Sequence, residues 1–192
     1  MSLSTLLQNI ADTEQGPKTC AVFDFDGTII SGYSATAFLK DQIARGEISP
    51  ADLVQLTQAA TRFGIGSLGF SALMAVHAQY LAGRSEADYV ANSERLFRRA
   101  IAKLIYPEAR QLIKAHRAAG HSIAIISSAT PYQVLPAARD LGIEHVYATD
   151  LQVEDGQFTG GVVQPTCFGI GKVHAAERFT AQQGSDREAC FF

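Results

Sequence analysis

A short apolar run ends in two aspartates and a glycine in the stretch Cys20-Ala-Val-Phe-Asp-Phe-Asp-Gly-Thr-Ile-Ile30. Residues 19–25 are β-branched, aromatic and little charged, which predicts a buried strand. Asp24 and Asp26 are two positions apart, so a strand would direct both carboxylates to the same side. Gly27 would then let the backbone turn sharply.

The sequence after residue 106 alternates between helix and strand patterns, which is typical of a parallel sheet with helices on its faces. The predicted elements are helix 107–119, strand 121–127, helix 131–141, strand 144–149, helix 171–182 and strand 189–192. An Asp-Gly pair at 155–156 predicts a tight hairpin turn between strands at 151–153 and 157–159. We therefore expect an α/β fold with a doubly wound parallel sheet.

A helical pattern fills the segment between the first strand and residue 106. Its breaks at glycine, serine and proline predict helices at 34–45, 50–62, 67–82 and 86–104. We expect residues 19–33 and 106–192 to form the α/β core, and residues 34–105 to form an all-α insert after the first strand. A further short helix is expected near the N-terminus, where Leu3, Leu6, Leu7 and Ile10 have helical spacing.

The composition limits the possible functions. The 192 residues are 47% hydrophobic and 18% charged with a net charge of −3, as in a folded globular protein. Lys and Arg form no dense run, so we expect no nucleic-acid partner. No apolar run approaches the ~20 residues of a membrane span, and no export signal is visible. An odd number of cysteines, three, predicts buried thiols and a cytoplasmic location.

Two more polar side chains are expected at the edge of the sheet where Asp24 and Asp26 lie, because ligands of open α/β sheets bind at the carboxyl ends of the strands. Ser127 ends the second core strand just before a helix, so its hydroxyl and the following N–H groups could hold phosphate oxygens. Lys172 opens a later helix and supplies a compact positive charge. Two neighbouring carboxylates repel each other unless a cation or a reaction uses them, which predicts Mg²⁺.

These stretches resemble the motifs of a known family. Asp24-Phe-Asp-Gly-Thr28 resembles the first motif of the haloacid dehalogenase superfamily of phosphohydrolases. Ile123-Ala-Ile-Ile-Ser127 resembles the second motif, and Gly171-Lys172 resembles the third. A helical insert between the first two motifs resembles the subclass that includes phosphoserine phosphatase, in which the insert is a cap. The stretches from Tyr106, Gly120 and Val153 resemble subfamily IB, some members of which are fused to lipid acyltransferases.

The resemblance implies a Mg²⁺-dependent phosphomonoester hydrolase that acts on a small phosphorylated metabolite, by analogy phosphoserine. Asp24 would form an aspartyl-phosphate, and Asp26 would protonate the leaving alcohol and then activate water. The Asp24 carboxylate and the Asp26 carbonyl would bind Mg²⁺. Thr28, Ser127 and Lys172 would bind phosphate. A lipid acyltransferase is a further partner, or fused domain, that the resemblance suggests.

The fourth motif of the family, an acidic pair after the next core strand, has no match, because the sequence ends on that strand at Phe192. Asp186 precedes the strand and is expected at the opposite rim. We expect a fragment that binds Mg²⁺ poorly and turns over slowly. Two other interpretations stay open: a catalytically impaired binding or regulatory domain of the same fold, and a phosphotransferase that passes the phosphoryl group to an alcohol.

Overall fold

Six strands and eight α-helices occur in the computed structural model, which describes residues 2–66, 68–185 and 190–192. The strands are β1 (Cys20–Phe23), β2 (Ser122–Ile126), β3 (His145–Tyr147), β4 (Leu151–Glu154), β5 (Gln157–Val162) and β6 (Cys190–Phe191). The helices are α1 (Leu3–Asp12), α2 (Ser34–Ala44), α3 (Pro50–Gly64), α4 (Phe70–Leu81), α5 (Glu86–Leu96), α6 (Pro107–Ala118), α7 (Pro131–Leu141) and α8 (Ile170–Gln183).

The central sheet has the strand order β3-β2-β1-β6, and all of its pairs are parallel. Side chains alternate between its faces, as strand geometry requires. Ala21, Ile123 and Ile125 join one buried cluster that includes α6, α7 and the helical insert. Cys20 and Ala124 join a second cluster that includes α8. Helices therefore cover both faces, and the predicted doubly wound parallel sheet is confirmed.

The helical insert departs from the predicted pattern at its last helix. One α-helix is predicted over residues 86–104, but α5 ends at Leu96 and continues as a π-helical turn, Phe97–Ile101, and a 3₁₀ turn, Ala102–Leu104. Phe97 and Ile101 are both buried at this turn. Packing of these side chains thus overrides the regular helix that local sequence favours.

The predicted hairpin is present as the antiparallel pair β4–β5. Its turn residues Asp155 and Gly156 have φ values of 48° and 74°, and an Asp-Gly pair tolerates this conformation. Backbone hydrogen bonds join the hairpin to the helical insert, because Gly83 N–H donates to the Phe158 carbonyl at 2.8 Å and Phe158 N–H donates to the Arg84 carbonyl at 3.0 Å. The hairpin is therefore attached to the helical insert through its backbone.

The remaining predictions concern the last strand, the cysteines, a membrane span and the division of the chain. The expected strand at 189–192 is seen as Cys190–Phe191, whereas Asp186 and Ala189 lie outside the described residues. Cys20 and Cys167 are buried as expected, but Cys190 is half-buried. Among the described residues, no helix combines the length and apolarity needed to cross a bilayer. The division of the chain into a core and a cap at residues 34–105 stays a prediction.

Candidate active site

The candidate site begins where β1 ends, at Asp24. Lys172 Nζ lies 2.7 Å from Asp24 Oδ2. The Phe25 N–H donates to Asp24 Oδ1 at 2.7 Å, so both carboxylate oxygens have a donor. The Asp24 side chain keeps 40% of its surface exposed and that of Lys172 keeps 30%. The pair is thus charge-balanced and still reachable from solvent.

The start of α8 brings Lys172 to this position. Gly169, at the N-cap, has φ 54°, in the left-handed region that favours glycine. A Cβ on Gly171 would lie 1.9 Å from the Thr166 carbonyl oxygen, so no side chain fits there. The Gly171 N–H also donates to the Phe168 carbonyl at 3.0 Å. Two glycines therefore let the loop and the helix approach closely enough to direct Lys172 at Asp24.

A tight turn follows the second aspartate. Gly27 has φ 75°, and its N–H donates to the Gly32 carbonyl at 2.9 Å. The N–H groups of Ile29 and Ile30 donate to the Phe25 carbonyl at 2.9 and 3.1 Å, and both isoleucines are fully buried. Buried side chains thus anchor the turn. Thr28 is exposed on it, and its phosphate-binding role stays a prediction.

Asp26 has a different environment from Asp24. The Ser34 N–H donates to Asp26 Oδ1 at 2.7 Å, and the Ser34 hydroxyl donates to Oδ2 at 3.1 Å. Burial raises the pKa of the Asp26 carboxyl, and the negative charge of Asp24 raises it further. The Ser34 hydrogen bonds and the Lys172 charge act in the opposite direction. Burial has the largest effect, so the protonated form persists to higher pH than in an exposed aspartate.

Ser127 lies at the end of the neighbouring strand. The parallel register pairs Phe23 with Ile125, so the ends of β1 and β2 are adjacent. Ser127 is buried, and its Oγ accepts a hydrogen bond from the Ala129 N–H at 3.1 Å. A backbone N–H can only donate, so the Ser127 O–H keeps its own proton to donate elsewhere. This suits the predicted contact with a phosphate oxygen, which stays a prediction.

A buried thiol lies near the same charges. Burial raises the pKa of Cys167 to about 11; the Lys172 charge lowers it, while Asp24 raises it. The thiol therefore stays protonated at neutral pH and is a poor nucleophile. Asp24 is the better candidate for attack on a substrate.

Ser34 and Gln133 contribute to the site, although neither is predicted from the sequence as a site residue. Gln133 Nε2 donates to Ser34 Oγ at 3.0 Å, and Gln133 Oε1 accepts from the Thr130 N–H at 2.8 Å. The pattern Thr130-Pro-Tyr-Gln133 is a capping box, which signals that Gln133 folds back on Thr130. No sequence signal predicts its contact with a residue 99 positions away.

The oxygen donors at this edge suit a hard cation that keeps most of its water. Within residues 2–66, 68–185 and 190–192, no group of three or more Asp, Glu, His or Cys side chains could hold a metal ion. The Asp24 carboxylate and the Asp26 carbonyl nonetheless fit an ion that commonly takes one or two carboxylates together with water and phosphate. A cavity of about 300 Å³ adjoins Asp24 and Lys172, and Val22, Ile126 and Val173 form part of its apolar lining.

Curated proteins of similar sequence include two from Mycobacterium tuberculosis (strain ATCC 25618 / H37Rv). A probable phosphatase is 30% identical over 187 residues, which are 96% of this chain and 65% of that protein. A phosphoserine phosphatase is 32% identical over 175 residues, which are 88% of this chain and 56% of that protein. The chain thus spans less than two thirds of the length of these relatives.

Solved structures share the fold. A protein of unknown function from Bordetella pertussis superposes with a TM-score of 0.81 at 24% identity, over 91% of this chain and 79% of that one. A phospho-aspartyl intermediate analogue of phosphoserine phosphatase superposes with a TM-score of 0.66 at 20% identity, over 91% and 76%. A family model described as haloacid dehalogenase-like hydrolase matches residues 21–192, which confirms the resemblance seen in the motifs. The protein belongs to the haloacid dehalogenase-like hydrolase family.

Proposed function

We propose that the protein is a phosphomonoester hydrolase that acts through an aspartyl-phosphate on Asp24. The observation that carries the proposal is the 2.7 Å contact between Lys172 Nζ and Asp24 Oδ2 at the end of β1. It supplies a half-exposed carboxylate nucleophile beside a fixed positive charge. The names of the curated relatives, a probable phosphatase and a phosphoserine phosphatase, support the same reaction class.

The proposed reaction has two steps. In the first, an Asp24 oxygen attacks the phosphorus, the bond from phosphorus to the ester oxygen breaks, and Asp26 gives its proton to the departing alcohol. In the second, the Asp26 carboxylate takes a proton from water, whose oxygen attacks the same phosphorus. Inorganic phosphate leaves and Asp24 is restored. The burial that raises the pKa of Asp26 suits a group that must first donate a proton and then accept one.

Cationic and polar groups of this chain would compensate the negative charge of the phosphoryl group. Lys172 would offset the charge of the transferring phosphoryl oxygens as well as that of Asp24. Ser127 and Thr28 would donate hydrogen bonds to the same oxygens. Mg²⁺ is the proposed cofactor, held by the Asp24 carboxylate and the Asp26 carbonyl, and it would supply further positive charge beside the phosphate.

The substrate is proposed to be a small phosphorylated metabolite, with phosphoserine as the analogue suggested by one relative. Residues 34–105 would serve as the cap that covers it and excludes water. Support comes from Ser34, the first residue of α2, which contacts Asp26 directly. A cytoplasmic location and association with a lipid acyltransferase stay predictions from the sequence.

Hydrolysis of 4-nitrophenyl phosphate by the full chain, with and without Mg²⁺, tests the proposal. Asp24→Asn should abolish turnover, and Lys172→Met should lower kcat by about 100-fold because the compensating charge is lost. Lys114→Met, at an exposed position of α6, is the matched control and should leave the rate unchanged.

Three results would contradict the proposal or favour a different function. Full activity of Asp24→Asn would exclude the nucleophile. A wild-type chain that binds inorganic phosphate but hydrolyses no ester would favour the binding or regulatory domain. Transfer of the phosphoryl group to added glycerol in preference to water would favour a phosphotransferase.

A further inference from the structure

A buried chain of hydrogen bonds runs from the start of α7 to Asp26. It passes from Thr130 to Gln133, then to Ser34, and ends on the carboxylate. Thr130, Gln133 and Ser34 are 1%, 8% and 0% exposed, so water does not compete with these contacts. The chain joins the helix after β2 to the first residue of the helical insert.

Donor and acceptor chemistry fixes the direction of the hydrogen bonds in this chain when Asp26 is ionised. The Thr130 backbone N–H can only donate, so the group that faces it at 2.8 Å must be the Gln133 oxygen. The Gln133 amide nitrogen therefore faces Ser34 Oγ, which must accept from it at 3.0 Å. The Ser34 hydroxyl is then left to donate its own proton to Asp26 Oδ2.

Ser34 thus provides a donor to each oxygen of Asp26, one from its backbone and one from its side chain. We propose that Gln133 is a positioning residue, which fixes the Ser34 hydroxyl as a donor and thereby orients Asp26 for proton transfer to the leaving group. This inference rests on the proposed phosphomonoesterase function.

A purely structural role for Gln133 makes a different prediction. Gln133 completes the capping box of α7, and many helices use Glu at this position for the same purpose. Gln133→Glu keeps an oxygen for Thr130 but has no N–H for Ser34 in its ionised form. Gln133→Met removes both polar groups at similar length. Comparison of the two separates helix capping from donation to Ser34.

The test compares kcat/KM for phenyl phosphate and 4-nitrophenyl phosphate in the wild type, Gln133→Glu, Gln133→Met, Ser34→Ala and the double variant Gln133→Met/Ser34→Ala. Phenol is the poorer leaving group and needs a proton from Asp26, whereas 4-nitrophenolate departs without one. We expect each variant to lose about tenfold on phenyl phosphate and less than about twofold on 4-nitrophenyl phosphate. The double variant should be no worse than Ser34→Ala, because Gln133 acts through Ser34.

Ser49→Ala, which removes the side-chain cap of α3 at an exposed site, is the control for loss of a helix cap. Melting curves identify any variant that does not fold, and Ser34→Ala still tests the inference should both Gln133 variants unfold. Equal losses on the two esters, or additive losses in the double variant, would overturn this inference but leave the proposed function standing. A wild-type chain that hydrolyses neither ester would overturn the proposed function, and the inference with it.

Discussion

Asp24 and Asp26 are separated by one residue, yet their surroundings differ in a way that suits the different roles proposed for them. Asp24 faces Lys172 and keeps 40% of its side-chain surface exposed. Asp26 is held by two hydrogen bonds from Ser34, and burial raises its pKa. Divergent environments of two nearby carboxyl groups are how proteins separate a nucleophile from an acid. The residue between them, Phe25, is fully buried and fixes both.

The sequence predicts part of this site and misses the rest for a physical reason. Asp24 and Lys172 each end or begin a core element, and the parallel topology brings such ends together. The sequence pattern at Ser34 indicates the start of a helix, and the pattern at Gln133 indicates a helix cap. Both of these roles are local. Their contact depends on how the helical insert folds back on the sheet, and the local pattern carries no information about that.

A buried histidine pair gives a prediction at the scale of single residues. His116 and His121 Nδ1 atoms are 3.0 Å apart, and His121 Nε2 lies 3.1 Å from the Glu14 carbonyl oxygen. Burial lowers the pKa of His116 to about 4, and His121 lowers it further. An unfolded histidine titrates near pH ~6.5. Between about pH 4 and pH ~6.5 the unfolded state thus binds more protons than the folded state does. The contribution of neutral His116 to the free energy of unfolding is therefore complete above this window and is lost as the pH falls through it.

The free energy of unfolding should therefore fall by about 2 kcal/mol more in the wild type than in His116→Gln between pH 7 and pH 5. Urea unfolding at the two pH values measures the difference. His77, whose pKa burial also lowers to about 4, remains in both proteins and cancels in the comparison. Equal pH dependence in the two proteins would show that His116 does not titrate in this window.

At the scale of elements, the loop before α8 decides where Lys172 lies. A Cβ at Gly171 would meet the Thr166 carbonyl oxygen at 1.9 Å. Gly171→Ala must therefore displace either the loop or the helix start, at a cost of about 1–3 kcal/mol in unfolding free energy. We expect it also to lower the proposed phosphatase activity, since Lys172 is the next residue.

Gly64→Ala is the matched control, because no atom lies within 4 Å of the added methyl group and its backbone is helical. It should be neutral or stabilise by up to about 1 kcal/mol. Chemical denaturation and the hydrolysis assay measure both effects. An unchanged free energy of unfolding and an unchanged hydrolysis rate in Gly171→Ala would contradict the geometry assigned to this loop.

The order of helices and strands is the best-predicted part of the fold. Periodicity and turn residues give the elements of the core and of the insert, with ends that differ by a few residues. The break in α5 is different, because the π-helical turn at Phe97–Ile101 follows from burial of side chains against distant elements. The attachment of the β4–β5 hairpin to the loop at Gly83 is equally non-local.

At the scale of the whole molecule, several contacts hold the helical insert against the rest of the chain. The Phe70 and Phe168 rings stack with centroids 4.4 Å apart, and Tyr132 Oη donates to Glu86 Oε1 at 2.7 Å. The first contact joins α4 to the loop that precedes Lys172. The insert therefore touches the same loop that positions the cation of the candidate site.

Phe168→Ala should loosen this contact with little effect on the sheet. Phe168 is 44% exposed, so we expect a loss of about 1 kcal/mol in unfolding free energy. Hydrogen exchange should quicken in α4 and stay unchanged in β2. Ile65→Ala, at a residue 73% exposed, is the control and should alter neither. Unchanged exchange in α4 of the Phe168 variant would show that the stacked rings do not hold the insert.

Formation of an acyl phosphate on Asp24 is the central claim of this account. The direct measurement is to quench the Asp26→Asn variant in acid during turnover of 4-nitrophenyl phosphate, reduce it with borohydride, and map the modified residue by mass spectrometry. This variant should retain the phosphoryl group because it lacks the base for the second step. We predict reduction to homoserine at position 24 alone, absent from an Asp24→Asn/Asp26→Asn double variant. Product formation by the single variant with the modification at another residue, or at none, would contradict the account.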